Sequence, residues 1–144
     1  MGNMKCATDL KQTFTQTGLA ADSTVSPGLA VKETTENDGV TKSYTLAASI
    51  TMACAGVAAG LPTGGGTVPT YVKDNSMQIY KMGGQAVVLL SGAVTDITVP
   101  LKVDSSGAFT PCTSGTSAFN ALPLELGGVG EYITVLLQYG VTVI

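Results

Sequence analysis

The sequence predicts an all-β protein, a small β-barrel or β-sandwich with an extended N-terminal arm, and three observations carry that expectation. Apolar residues recur with a period of two in several stretches, Gly and Pro break the chain at short intervals, and no segment has a persuasive amphipathic helical stripe. A chain of 144 residues is about one domain long, and such a domain buries roughly 68–70% of the surface its unfolded chain exposes. One genuine core is therefore within reach.

Residues 1–42 are polar and Thr-rich, with turn signals at Ser26-Pro27-Gly28 and Asn37-Asp38-Gly39. They read as an extended arm or a run of short strands, preceding a barrel or sandwich domain over 43–144. The first twenty residues, if extended, reach about 65 Å, far enough to touch a neighbouring subunit.

From Tyr44 to Cys54 the alternation is clean: Tyr44, Leu46, Ala48, Ile50, Met52 and Cys54 share one face, and mostly small hydroxyl residues the other. β-Branched Thr and Ile favour a strand over the Ala-based helical rival. Ala55 to Pro69 reads as a surface loop. Its Gly64-Gly65-Gly66 lacks the Gly-Lys-Ser/Thr ending of a P-loop and the G-x-G-x-x-G order of a dinucleotide fold.

Met77–Met82 and Gln85–Leu90 read as two strands of a hairpin joined by Gly83-Gly84. Ile97, Val99, Leu101 and Val103 alternate with polar positions, and Pro100 assigns that strand to an edge or a bulge because it donates no ladder hydrogen bond. Asp104-Ser105-Ser106-Gly107 is a turn. Ala121–Leu126 follows, then a Gly127-Gly128-Val129-Gly130 turn, then Glu131–Gln138, apolar enough to be covered on both faces. Val141 to Ile144 adds a buried C-terminal end.

Only 12% of the residues are charged, the net charge is −3, and Arg, His and Trp are absent. Seven dispersed lysines without an Arg fork are a poor phosphate-binding set, so no nucleic-acid partner is expected. A surface of Thr, Ser and Gly suits a protein that sits against other proteins, since charged groups are costly to desolvate at interface centres. The run Leu46 to Leu61 is too short and too interrupted to span a membrane, and none is expected.

Catalysis by Ser or Cys normally needs a general base, most often His. The carboxylates mostly neighbour turn residues, and Glu33 and Glu36 imply no cleft, so no enzyme activity and no catalytic residue is expected. Cys6, Cys54 and Cys112 have no metal or redox spacing, and Asp104-Ser105-Ser106-Gly107 lacks the closing Glu of a calcium loop. We expect small thiols in a reducing cytosol, although a pair could bridge if the fold joins them. No metal and no cofactor is expected. Tyr44, Tyr71, Tyr80, Tyr132 and Tyr139 could line a ligand pocket. They read better as a core rim or a subunit interface.

Three segments, Gln85–Leu90, Val103–Pro111 and Asn120–Leu137, run as strand, Gly turn, a small-Ala-Leu-x-Leu-Glu segment, a second Gly turn and a closing apolar strand. In this order the second half, residues 77–140, resembles the capsid decoration, or cement, proteins of tailed bacteriophages. Asn120 stands where that pattern usually has Gly, and Pro123 interrupts the strand. The resemblance implies a virion protein, made in the host cytoplasm, that assembles as a homotrimer on the capsid exterior and bridges neighbouring major capsid protein subunits. On that reading the apolar residues of the polar arm, Leu10, Phe14, Leu19, Val25 and Leu29, are capsid-contact candidates, and the aromatics Tyr71, Tyr80, Phe109 and Phe119 are oligomer-interface candidates. A tail, neck or baseplate β-domain is the alternative within the virion.

Overall fold

The structure, a computed structural model, describes residues 14–35, 42–47, 56–60, 70–112, 116–117, 120–138 and 142–143. Among these residues it is all-β: twelve strands and no helix. The strands are β1 (Thr15–Ala20), β2 (Ala30–Thr35), β3 (Lys42–Leu46), β4 (Gly56–Ala58), β5 (Ser76–Lys81), β6 (Gln85–Leu89), β7 (Leu101–Val103), β8 (Phe109–Pro111), β9 (Thr116–Ser117), β10 (Asn120–Pro123), β11 (Tyr132–Gln138) and β12 (Thr142–Val143).

The first five strands close a barrel in the order β1-β3-β2-β4-β5. β1 completes it, pairing antiparallel with β5 on one side and parallel with β3 on the other. The described part of residues 1–42 therefore takes the short-strand form rather than that of an arm: β1 and β2 are integral to the barrel, and the expected boundary at 42/43 passes through the β2–β3 hairpin, whose register is Thr35↔Lys42 to Val31↔Leu46.

A second sheet of five antiparallel strands has the order β6-β11-β10-β7-β8. It curls until one parallel bridge, Leu90↔Phe109, ties its two edges together. β9 and β12 form a separate antiparallel pair.

The period of two explains how the two layers share a wall. In β2, β4 and β5, Val31, Ala58 and Ile79 point into the barrel, where they pack with Ala20, Val25, Tyr44 and Met77. Their chain neighbours Ala30, Val57 and Tyr80 point outward into a second core with Val88, Leu101, Phe109, Ile133, Val135 and Leu137. The wall is buried on both faces. That is why β4, Gly-Val-Ala, shows no exposed position.

Two glycines carry the close contacts between the layers. Gly28 has φ +92° and sits where a Cβ would approach Tyr132 Cε1 at 2.8 Å and Leu89 N at 3.0 Å. Its carbonyl accepts from Leu89 N at 3.0 Å. Gly107, at φ +81°, accepts from Ala30 N at 2.9 Å. Only glycine combines this backbone conformation with so little room.

Four sequence expectations are corrected. β4 lies in the stretch read as a loop; its length of three residues is too short for a periodic signal. β5 and β6 do not form a hairpin, because β1 and β4 occupy both flanks of β5 while β6 pairs with β11. Gly83-Gly84 instead carries the chain from one sheet to the other, and Gly83 N donates to Leu137 O at 2.8 Å. The strand expected from Ile97 starts only at Leu101, since Asp96 winds residues 96–99 into a turn. β11 is covered completely on one face, at Ile133, Val135 and Leu137, and partly on the other. The extension of the Tyr44 strand over 48–54, the loop over 61–69 and residue 141 fall outside the described residues.

Candidate interaction surface

Three Asp-x-Thr/Ser turns share one device, in which the Asp Oδ1 accepts from both the N–H and the hydroxyl two residues on. Asp22 does so from Thr24 (3.2 and 2.5 Å), Asp96 from Thr98 (2.9 and 2.6 Å) and Asp104 from Ser106 (2.8 and 2.6 Å). Thr45 adds a third donor to Asp22, at 2.6 Å through Oδ2, and Ala108 N a further one to Asp104, at 3.2 Å. Burial pushes the Asp22 and Asp104 carboxyls up, but these donors outweigh it, and both are held below the ordinary value. The Thr98 donors lower Asp96 as well.

The Asp96 turn lies at the end of the curled sheet that carries most of the exposed large apolar side chains among the described residues. Val94 and Gly127 exchange backbone hydrogen bonds (2.8 and 3.2 Å), which sets the loop carrying Ile97 beside the β10–β11 connection. That connection is rigidly braced. Gly128 N donates to Glu131 Oε1 at 2.6 Å, Thr134 N to Glu125 Oε2 at 3.2 Å, and Gly130 N to Leu90 O at 2.8 Å. From this frame Leu124, Leu126 and Val129 project at 46%, 58% and 70% exposure, with Ile97 at 50%. An adjoining groove of about 200 Å³ is lined by Ala93, Thr95, Asp96, Val99 and Pro111. A braced loop with an apolar crown is suited to contact: ordering it costs little further entropy on binding.

The residues singled out from the sequence lie elsewhere. Val25 and Leu29 belong to the chain's own interior, Leu19 is half-buried in β1, and Phe14 is exposed beside Gly83. Leu10 and Phe119 fall outside the described residues. Tyr80 and Phe109, expected at an oligomer interface, are buried core residues, because the shared wall needs their bulk. Tyr71 is half-buried and its hydroxyl donates to Ala59 O. Tyr44 is fully buried, its hydroxyl has no hydrogen-bond partner among the described residues, and burial raises its pKa. Burial likewise raises Tyr71 and Tyr132. The tyrosines thus do not converge on a pocket: Tyr44 and Tyr80 fall in different cores, and Tyr139 is outside the described residues. Sequence reasoning missed the apolar crown by reading Leu124, Leu126 and Ile97 as strand positions. The available signal was Pro123 followed by two glycines four residues on, which ends β10 before those leucines.

Among the described residues no three His, Cys, Asp or Glu side chains gather as a metal site, and no helix is long and apolar enough to cross a membrane. Cys112 is buried. Fold and surface together define an all-β protein in which a closed five-stranded barrel shares a wall with a curled five-stranded sheet that ends in an apolar crown.

This architecture is similar to that of the head fiber gp8.5 N base of bacteriophage phi29. The two superpose with a TM-score of 0.59 at 14% identity, over 88% of this chain and 94% of that one. The chain matches no protein-family model and no curated protein sequence.

Proposed function

We propose that the protein is a structural component of a phage virion that binds the outer surface of the head and cements neighbouring major capsid protein subunits, acting by binding and not by catalysis. The observation that carries this reading is the likeness to the phi29 head fiber N base, which extends over nearly the whole of both chains. The order of strands and Gly turns from Gln85 to Leu137, which resembles that of decoration proteins, supports it independently. The head-fiber likeness favours the head over the tail, neck or baseplate.

Attachment as a homotrimer makes physical sense of a small chain with few charges. Modest contacts per chain, engaged three at a time, give an avidity that exceeds any one of them by orders of magnitude. The test is to mix purified protein with expanded, undecorated heads and to weigh the free protein by light scattering. Stoichiometric binding and a trimer are expected; no binding together with a monomer overturns the proposal.

A further inference from the structure

We infer that the crown formed by Ile97, Leu124, Leu126 and Val129 is the surface that docks onto the head, and that the protein surface it meets is apolar at its centre and rimmed by basic side chains. This inference rests on the proposed head-binding function and names the face that performs it.

Charge selects this occupant over a second copy of the chain. The two loops that carry the crown hold three carboxylates, Asp96, Glu125 and Glu131, and no lysine. Beyond Gln85 the chain has a single lysine, Lys102. The register Leu101↔Ala121 runs antiparallel, so Lys102 lies toward the Asn120 end of β10, away from the crown. Lys81 precedes β6, whose first residue Gln85 pairs with Leu136 near the far end of β11. Crown against crown therefore brings two like-charged acidic rims together, which is unfavourable. A partner with lysines or arginines around an apolar centre satisfies both the leucines and the acids. All three carboxylates already accept hydrogen bonds, Asp96 and Glu131 from their own loops and Glu125 from Thr134 in β11, so they offer a fixed negative field and not flexible ligands.

The test uses the full chain, expanded undecorated heads, and three exposed-site variants: Leu126→Lys, Leu126→Glu and Val72→Lys. Val72 is 58% exposed in the segment leading into β5, away from the crown loops in sequence, and serves as the control. Leu126→Lys should weaken head binding at least about tenfold, Leu126→Glu should weaken it less, and Val72→Lys should leave it unchanged. Wild-type binding should also fall as salt rises. Wild-type binding that Leu126→Lys leaves intact overturns the inference while the head-binding function stands. A stronger effect of Glu than of Lys, or no salt dependence, overturns the basic rim. Self-association that Leu126→Lys strengthens assigns the crown to a second copy. Failure of the wild type to bind heads overturns the function and the inference together.

Discussion

The closed barrel and the curled sheet have the same number of strands but hold together differently. The barrel is hydrogen-bonded all the way round, and its interior is filled around the fully buried ring of Tyr44. Gly18 makes room for that ring, since a Cβ there would fall within contact distance of Tyr44 Cε2 and Cδ2. Among the described residues the curled sheet has a single bridge across its seam, and its closure depends on Phe109 and the aliphatic residues packed on it. Backbone pairing defines one half and side-chain packing the other.

The sharpest way to break this contrast is Phe109→Ala, which empties the core at the seam. It should destabilise the protein by about 3–5 kcal/mol in urea unfolding, as deletions of buried aromatic rings do. A loss below about 1 kcal/mol means that the curled sheet does not depend on its filling. Tyr44→Phe, in the barrel, should act in the opposite direction. Removing a buried hydroxyl that has no partner among the described residues stabilises by about 1 kcal/mol, and a loss of stability shows instead that the hydroxyl is paired.

The smallest effect is a pH dependence common to both halves. Asp22 in the barrel and Asp104 in the curled sheet have carboxyls held below the ordinary value of 3.8. A carboxyl lowered by folding contributes stability that is present above its unfolded value and is lost as pH falls through its folded one. Unfolding midpoints should therefore be level at neutral pH and drop below about pH 4. Asp104→Asn and Asp22→Asn should each flatten that drop, and a drop that neither flattens assigns it to other carboxylates.

The all-β class and most strand positions were legible because period-two alternation and Gly punctuation are local signals. β5, β6 and β11 follow them within a residue. Partner choice was not legible. Gly83-Gly84 has hairpin chemistry, yet β5 already has two partners from the barrel, a fact held in Thr15–Ala20 some sixty residues upstream. Burial on the far side of the wall was equally hidden. Tyr80 and Phe109 read as oligomer-interface candidates because nothing local says that a second layer of the same chain covers them. The crown was concealed by its own composition, since Leu124 and Leu126 continue an alternating pattern after the strand has ended at Pro123.

The role of β1 as the closing strand also bears on the order of folding. Its antiparallel partner is β5, with Gln16 opposite Ile79, so the first described strand to leave the ribosome has to wait for one of the later barrel strands. The β2–β3 hairpin can form early, but the ring cannot shut until Lys81 has emerged. Such long-range closure is slow, because the entropy of bringing distant segments together is lost before their contacts form. Until then, β1 and the unpaired flank of β3 expose strand edges, and at high expression this interval is the one in which chains can pair with each other.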